Sequence, residues 1–299
     1  MSAAQGARER VVARESARGV PQSVKRLALH AAVLFLMAIW LLPTIGLLVN
    51  SFRDPQSVTQ SGWWTALLPP KEFSLEGYAS VLAQQGIGEA FVNSLFITIP
   101  STIIPIFVAA FAAYAFSWMN FPGRNLLFVA VVGLLVVPLQ ATLIPVLRFL
   151  ASFGLAGEFL AVWLAHTGYG LPFAIYLLRN FMGSLPKEVF ESAYIDGASP
   201  VTAFFRLALP MSVPAIAALA IFQFLFVWND LLVALVYIGL ANPDRLPLTG
   251  TIANLVNSLG GGWQLLAPAA FLSMALPLAV FVALQRYFVR GITGGAVKG

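Results

Sequence analysis

The chain has 299 residues, 59% of them hydrophobic and 10% charged, with a net charge of +5 and no cysteine. A soluble domain carries roughly 25% charged residues, so this composition excludes an ordinary water-facing surface and points to an integral membrane protein. The missing cysteines exclude disulfides, thiolate metal sites and cysteine nucleophiles, and no basic patch interleaved with aromatics is present to bind nucleic acid.

Residues 1–26 are polar and Arg-rich and read as a tail, because they hold too few apolar residues to build a core. The apolar run behind them is long enough to span and shows no clear cleavage site, so it is expected to stay as an anchor. About 20 apolar residues cross a bilayer. On that measure six spans are predicted, at 27–50, 88–117, 126–148, 158–180, 210–238 and 266–288. The fold class is therefore all-α, a polytopic membrane protein of six transmembrane helices.

Four segments follow from this. They are the tail at 1–26, the first span with an external loop at 27–87, a core of five spans at 88–290, and a C-terminal tail at 291–299. The external loop carries Trp63 and Trp64 as interfacial residues and room for a short surface helix. Every span carries proline, including Pro43, Pro100, Pro105, Pro138, Pro145, Pro172, Pro214, Pro268 and Pro277. Interior proline removes a hydrogen bond and bends the axis. This reads either as ordinary membrane-helix usage or as bent helices lining a path that opens and closes.

Six spans put both chain ends on one side. That side holds Arg8, Arg10, Arg14, Arg18, Lys25, Arg26, Arg124, Arg179, Lys187, Arg206, Arg286, Arg290 and Lys298, against Arg53, Lys71, Arg148 and Arg245 on the other. Basic residues favour the cytoplasmic side, so both termini are expected in the cytoplasm.

The polar insertion at 186–209 stands out. Pro186 suits the start of a helix. The following KEVFESAYID puts Val189, Phe190, Ala193 and Tyr194 on one face, with Glu188, Glu191 and Ser192 towards the other. Gly197 fits a left-handed C-terminal cap, and Ser199-Pro200 reads as the cap and first turn of a second helix. The element is helix–Gly–helix, with small residues at Ala193, Gly197 and Ala198 that permit close approach. It fits a helix laid into a partner's groove or one lying on lipid.

Glu188, Glu191, Ser192, Ala193, Asp196, Gly197, Ala198 and Ser199, followed by Phe204, Leu209, Pro210 and Pro214, resemble the "EAA loop" of ABC-importer permeases of the maltose type. Ser192 replaces the family's first alanine, a small-for-small change. Asn93-Ser94-Leu95 and Trp228-Asn229 agree in order, and Gln285 to Gly291 with Gly295 to Gly299 resembles the tail of the G-type permease. The resemblance implies the type I ABC importer permease fold. It also implies a second permease as heterodimer partner, two ABC ATPase subunits holding ATP and Mg, and an extracytoplasmic solute-binding protein. Membrane lipid surrounds the whole. No cofactor is implied in this chain.

By the same resemblance, Glu188, Glu191, Ser192, Ala193, Asp196, Gly197 and Ala198 couple the chain to the ATPase, and the last five residues could enter the ATPase interface. Ser51-Phe52-Arg53-Asp54, Ser61 to Thr65 and Trp263 to Leu266 look most like the α-glucoside branch, which implies maltose, trehalose or sucrose-like sugars.

Polar groups inside spans are functional suspects. Asp230 is the clearest, beside Trp228 and Asn229, and all three serve either a sugar path or an outer interfacial anchor. Tyr176, Gln140, Asn93 and His166 are weaker candidates. The competing reading is a stand-alone secondary transporter or channel for a small polar solute, with Asp230 as its buried acid, which leaves the 186–209 insertion unexplained. His30 and His166 lie in different spans and build no metal site or catalytic triad. No phosphate-binding loop with Lys-Ser/Thr is present, so no catalytic residue is expected and the chain is not an enzyme.

Overall fold

The computed structural model describes residues 22–67, 73–84, 86–255 and 262–293. Of the tails expected at 1–26 and 291–299, residues 1–21 and 294–299 lie outside the described residues, while 22–26 and 291–293 are helical and extend the first and last long helices. Among those described there is no β-strand, only an isolated bridge between Arg53 and Phe73. Four helices are long and apolar enough to span a membrane, and two bent helix pairs raise the number to six. The long helices are α1 (Gln22–Ser51), α4 (Ile87–Trp118), α7 (Phe159–Met182) and α13 (Trp263–Thr293). One bent pair is α5 (Arg124–Val136) with α6 (Leu139–Ala151), and the other is α9 (Pro200–Met211) with α10 (Val213–Trp228). Shorter helices are α2 (Pro55–Gln60), α3 (Glu76–Ala83), α8 (Lys187–Ile195), α11 (Leu232–Ala234) and α12 (Leu248–Ala253).

The third predicted span is an elbow of 106°. Pro138 holds Val137 extended (φ −72°, ψ 118°), which closes α5, and a new helix starts at Leu139. The fifth span differs more from expectation. It begins at Pro200, turns by 70° around Ser212 and stops at Trp228. Pro210 and Pro214 flank that turn and cannot donate the hydrogen bonds that would straighten it. By contrast Pro100, Pro105, Pro172, Pro268 and Pro277 sit inside continuous helices.

The core is the pair α4 and α7, which run parallel. Trp163 Nε1 donates to the Phe96 carbonyl (2.9 Å) near one end, and Ser117 Oγ donates to the Arg179 carbonyl (3.0 Å) near the other. Ala109, Ala110 and Ala113 of α4 meet Ala174 and Leu178 of α7, all buried. In a membrane, packing of small residues replaces the hydrophobic drive between helices. α10 crosses this pair and is held by Gln223, whose amide donates to the Ser101 carbonyl at 3.2 Å. Gly170 makes room for it, since a Cβ there would lie 2.7 Å from Gln223 Nε2 and Oε1.

That contact carries a prediction. Gly170→Val should lower the unfolding midpoint in detergent by about 1–3 kcal/mol of overpacking strain. Gly170→Val with Gln223→Ala should recover part of the loss. Equal midpoints for the wild type and Gly170→Val would show that the two helices do not meet this closely.

α1 stands apart. Only 6% of its best window is buried, against 50% for α7, and Trp40 is 84% exposed. It touches α13 and the turn Trp63–Ala66. Beyond it, Arg53 is buried and organises the loop: its guanidinium donates to Asn50 Oδ1, the Ser57 and Ser61 carbonyls and Ser61 Oγ. Asp54 caps α2 by accepting from the Gln56 and Ser57 amides. Buried arginine needs this many partners, because each orphaned donor would cost stability.

Candidate functional site

The 186–209 insertion folds as an elbow at one end of the bundle. Pro186 precedes α8, with Lys187 as its first residue. The helix closes at Gly197, whose φ of +83° is the left-handed conformation that glycine adopts without strain. Gly197 N–H donates to the Tyr194 carbonyl and Ala198 N–H to the Ala193 carbonyl, which satisfies the last turn. Ser199 Oγ then accepts from the Thr202 amide (3.1 Å) and starts α9. Glu188, Glu191, Ser192, Asp196 and Gly197 are exposed, while Ala193 and Ala198 are half-buried. The Asp196 carboxylate makes no hydrogen bond among the described residues. No Cβ at Gly197 would meet another atom within 4 Å. The elbow is thus an open acidic ridge with room at its apex.

Its underside is fastened to α4. Phe190 is fully buried and stacks on Trp118, with ring centroids 3.8 Å apart and planes at 18°. Trp118 Nε1 donates to the Met182 carbonyl of α7 at 3.0 Å. Tyr114 Oη donates to the Pro200 carbonyl (2.9 Å) and shares a hydrogen bond with Tyr194 Oη (3.1 Å). Phe204 stacks on Phe111 at 4.6 Å. Of the four residues expected on the apolar face, Phe190 alone is buried, and Val189 and Tyr194 stay exposed. The partners Phe111, Tyr114 and Trp118 were not anticipated, although their spacing of three and four residues marks one face of a helix. The elbow thus meets α4 through three aromatic contacts, and Trp118 of α4 in turn holds α7.

The suspected solute-path residues do not gather. Trp228 is buried, stacked on Phe224 and donating from Nε1 to the Ser273 carbonyl at 3.0 Å, so it ties α10 to α13. Asn229 is exposed and donates back to the Leu225 carbonyl. Asp230 follows the end of α10, and its carboxylate accepts from the Val233 and Ala234 amides at 3.4 and 3.1 Å. His166 faces it from α7, with 3.7 Å between Nε2 and Oδ2. Tyr176 and Gln140 are exposed elsewhere. Asn93 holds the Asp244 and Leu246 carbonyls, and Ser94 Oγ accepts the Leu248 amide, so both anchor the loop before α12.

A cavity of about 620 Å³ opens instead in the crook between α5, α6 and α7. It is lined mainly by apolar residues such as Val137, Phe149 and Phe226, with Thr142 and Tyr169 supplying hydroxyls. Tyr169 Oη lies 3.0 Å from Tyr237 Oη, which donates to the Leu143 carbonyl at 3.1 Å. Among the described residues no group of His, Asp and Glu has metal-binding geometry.

These features have counterparts in known proteins. The profile described as "Binding-protein-dependent transport system inner membrane component" matches residues 94–294. The chain is 57% identical to the osmoprotective compounds uptake permease protein GgtD of Synechocystis sp., over 92% of this chain and 93% of that one. It is 42% identical to the alpha-glucoside transport system permease protein AglG of Rhizobium meliloti, over 91% of this chain and 97% of that one. A chain of a bacterial ABC transporter that imports the acidic polysaccharide alginate superposes with a TM-score of 0.76 at 20% identity, covering 90% of this chain and 99% of that chain. Helix order, the elbow and the match over two-thirds of the sequence lead to one assignment: the chain belongs to the inner-membrane permeases of binding-protein-dependent ABC transport systems and has the type I importer permease fold.

Proposed function

We propose that this permease forms the translocation path of an ATP-driven importer for α-glucosides, together with a second permease subunit. Two ABC ATPases bind on the elbow side, and an extracytoplasmic binding protein delivers the solute to the opposite side. The observation that carries this reading is the elbow itself, an exposed ridge rooted by Phe190 and Tyr194 in Trp118 and Tyr114 of α4. A ridge so rooted transmits the closure of an ATPase groove into the spans. The carboxylates of Glu188 and Glu191 supply charges for basic groups of that groove. Arg124, Arg179, Lys187 and Arg206 lie at the elbow end, while Arg53, Arg148 and Arg245 lie at the other, which supports placing the elbow and both termini in the cytoplasm.

The substrate class is supported by AglG, named for alpha-glucosides, and by GgtD, named for osmoprotective compounds. An uncharged glucoside such as trehalose or sucrose answers both names. The test is to co-express the chain with its partner subunits, reconstitute the complex with its binding protein and measure ATP hydrolysis against a sugar panel. Maltose, trehalose or sucrose should raise hydrolysis at least about tenfold, within the range of coupling between sites, and arabino-oligosaccharides should not. Stimulation by the latter alone would move the substrate class. A chain that purifies alone and transports in liposomes without ATP would replace the importer by a secondary transporter.

A further inference from the structure

The fifth hydrophobic stretch breaks a second time, and a buried histidine faces the break. α10 ends at Trp228 and helical geometry resumes at Leu232, continuing into a π turn at Leu235–Gly239. The Asp230 carboxylate bridges the gap by capping α11, and its carbonyl accepts from Thr249 Oγ1 at 2.7 Å. π turns inside α-helical stretches concentrate at functional sites. α7 grips this segment at two places. Beyond the break, Tyr169 and Tyr237 are hydrogen-bonded at 3.0 Å. At the break itself the grip is open: His166 is fully buried, neither of its ring nitrogens meets a hydrogen-bond partner, and Asp230 Oδ2 stands 3.7 Å from Nε2. The Phe226 ring stands edge-on to the imidazole at 6.0 Å, so no polar group of α10 substitutes.

An unpartnered buried nitrogen is rare in folded proteins and is costly. Here its natural acceptor is one short displacement away, held off by its bonds to the start of α11. We infer that His166 and Asp230 are a positioning pair for the transport cycle. In a second arrangement of the break, the neutral imidazole donates its Nε2–H to the Asp230 carboxylate, and that bond fixes α10 against α7. In the arrangement seen here the carboxylate caps α11 and the gap to His166 stays open. A carboxylate has lone pairs for more than two donors, so His166 adds to the Val233 and Ala234 amides, and closing the gap moves the end of α10. The pair does not touch solute, and no proton leaves either residue. This inference rests on the permease reading, because a cycle with two arrangements is what gives the open grip a use.

The chain has no cysteine, which allows a direct test in the assembled complex. Spin labels at Leu160→Cys and Asn229→Cys, both exposed, report the distance between the start of α7 and the end of α10. Two distance populations are expected, with their ratio shifted between nucleotide-free complex and complex trapped with ATP and vanadate. His166→Phe, which keeps the ring and loses the donor, should deplete the trapped population about tenfold. His166→Gln should restore it, and Asp230→Asn should add nothing to His166→Phe. A single population in the wild type, or unchanged populations in His166→Phe, would overturn the inference. So would equal loss in the Phe and Gln variants with equally lowered unfolding midpoints, which is the signature of packing alone. None of these readouts needs the solute, so they separate failure of this pair from failure of the α-glucoside assignment, which the sugar panel tests.

Discussion

Phe190→Ala is expected to leave a chain that inserts, folds and is recovered from the membrane but no longer converts bound solute into ATP turnover. The side chain is fully buried and stacked on Trp118. Its removal deletes a large aromatic contact worth about 3–5 kcal/mol. That loss is confined to the seat of the elbow, because the α4–α7 contact continues through Ala109, Ala113, Ala174 and Leu178 without it. Solute-stimulated ATPase activity should fall by roughly two to three and a half orders of magnitude, following from that energy at about 1.4 kcal/mol per decade. Trp118→Ala should do the same, and the double variant should be little worse than either single one, since both delete one contact. Full activity in Phe190→Ala would show that force enters the spans elsewhere, through Tyr114 and Phe204.

The Gly197 series separates two reasons for a glycine at the apex. The backbone is left-handed there, and a non-glycine residue pays about 1–2 kcal/mol, with Asn the best tolerated and β-branched residues the worst. Space within this chain is open. Backbone strain alone therefore predicts an order of Gly, Asn, Ala and then Val, with Gly197→Val losing about tenfold in stimulated ATPase activity and Gly197→Asn nearly nothing. A partner pressed against the apex predicts instead that Asn and Asp fail as badly as Val. Stimulated hydrolysis across the four variants, with complex assembly as control, decides between them. Wild-type activity in Gly197→Val would remove the apex from the coupling path.

Much of this architecture could be read from residue order, and the limits have physical causes. The apolar runs, the left-handed Gly197 and the Ser199 cap are local properties, fixed by composition or by one backbone position. Pro138 and Pro172 look alike in sequence, yet one ends α5 and the other lies within α7. What decides is whether neighbours hold the helix together, and that is tertiary. The seat of the elbow joins Trp118 to Phe190, 72 positions apart, which no local pattern encodes. Trp228 could be read two ways in the sequence, because an aromatic beside an amide and an acid fits a sugar site, and only the packing shows it buried and tying α10 to α13. His166 was suspected only weakly, since a lone histidine in a span is usually satisfied. Its lack of partners emerged only from the packing.

The bareness of α1 has a consequence for where the protein can work. Its candidate span has 29 residues, whose most apolar stretch reaches a mean hydropathy of 2.5, and at 1.5 Å per residue the span is about 44 Å of helix. The hydrocarbon layer is about 30 Å thick. With little contact to the rest of this chain to hold it upright, the excess is taken up by tilt and by turns standing in the headgroup layer. Within this chain the pose of the helix thus answers to the thickness of the bilayer more than to the fold. A thinner membrane lays it flatter against α13, and the lipid composition of the host becomes one of the determinants of the protein's outline.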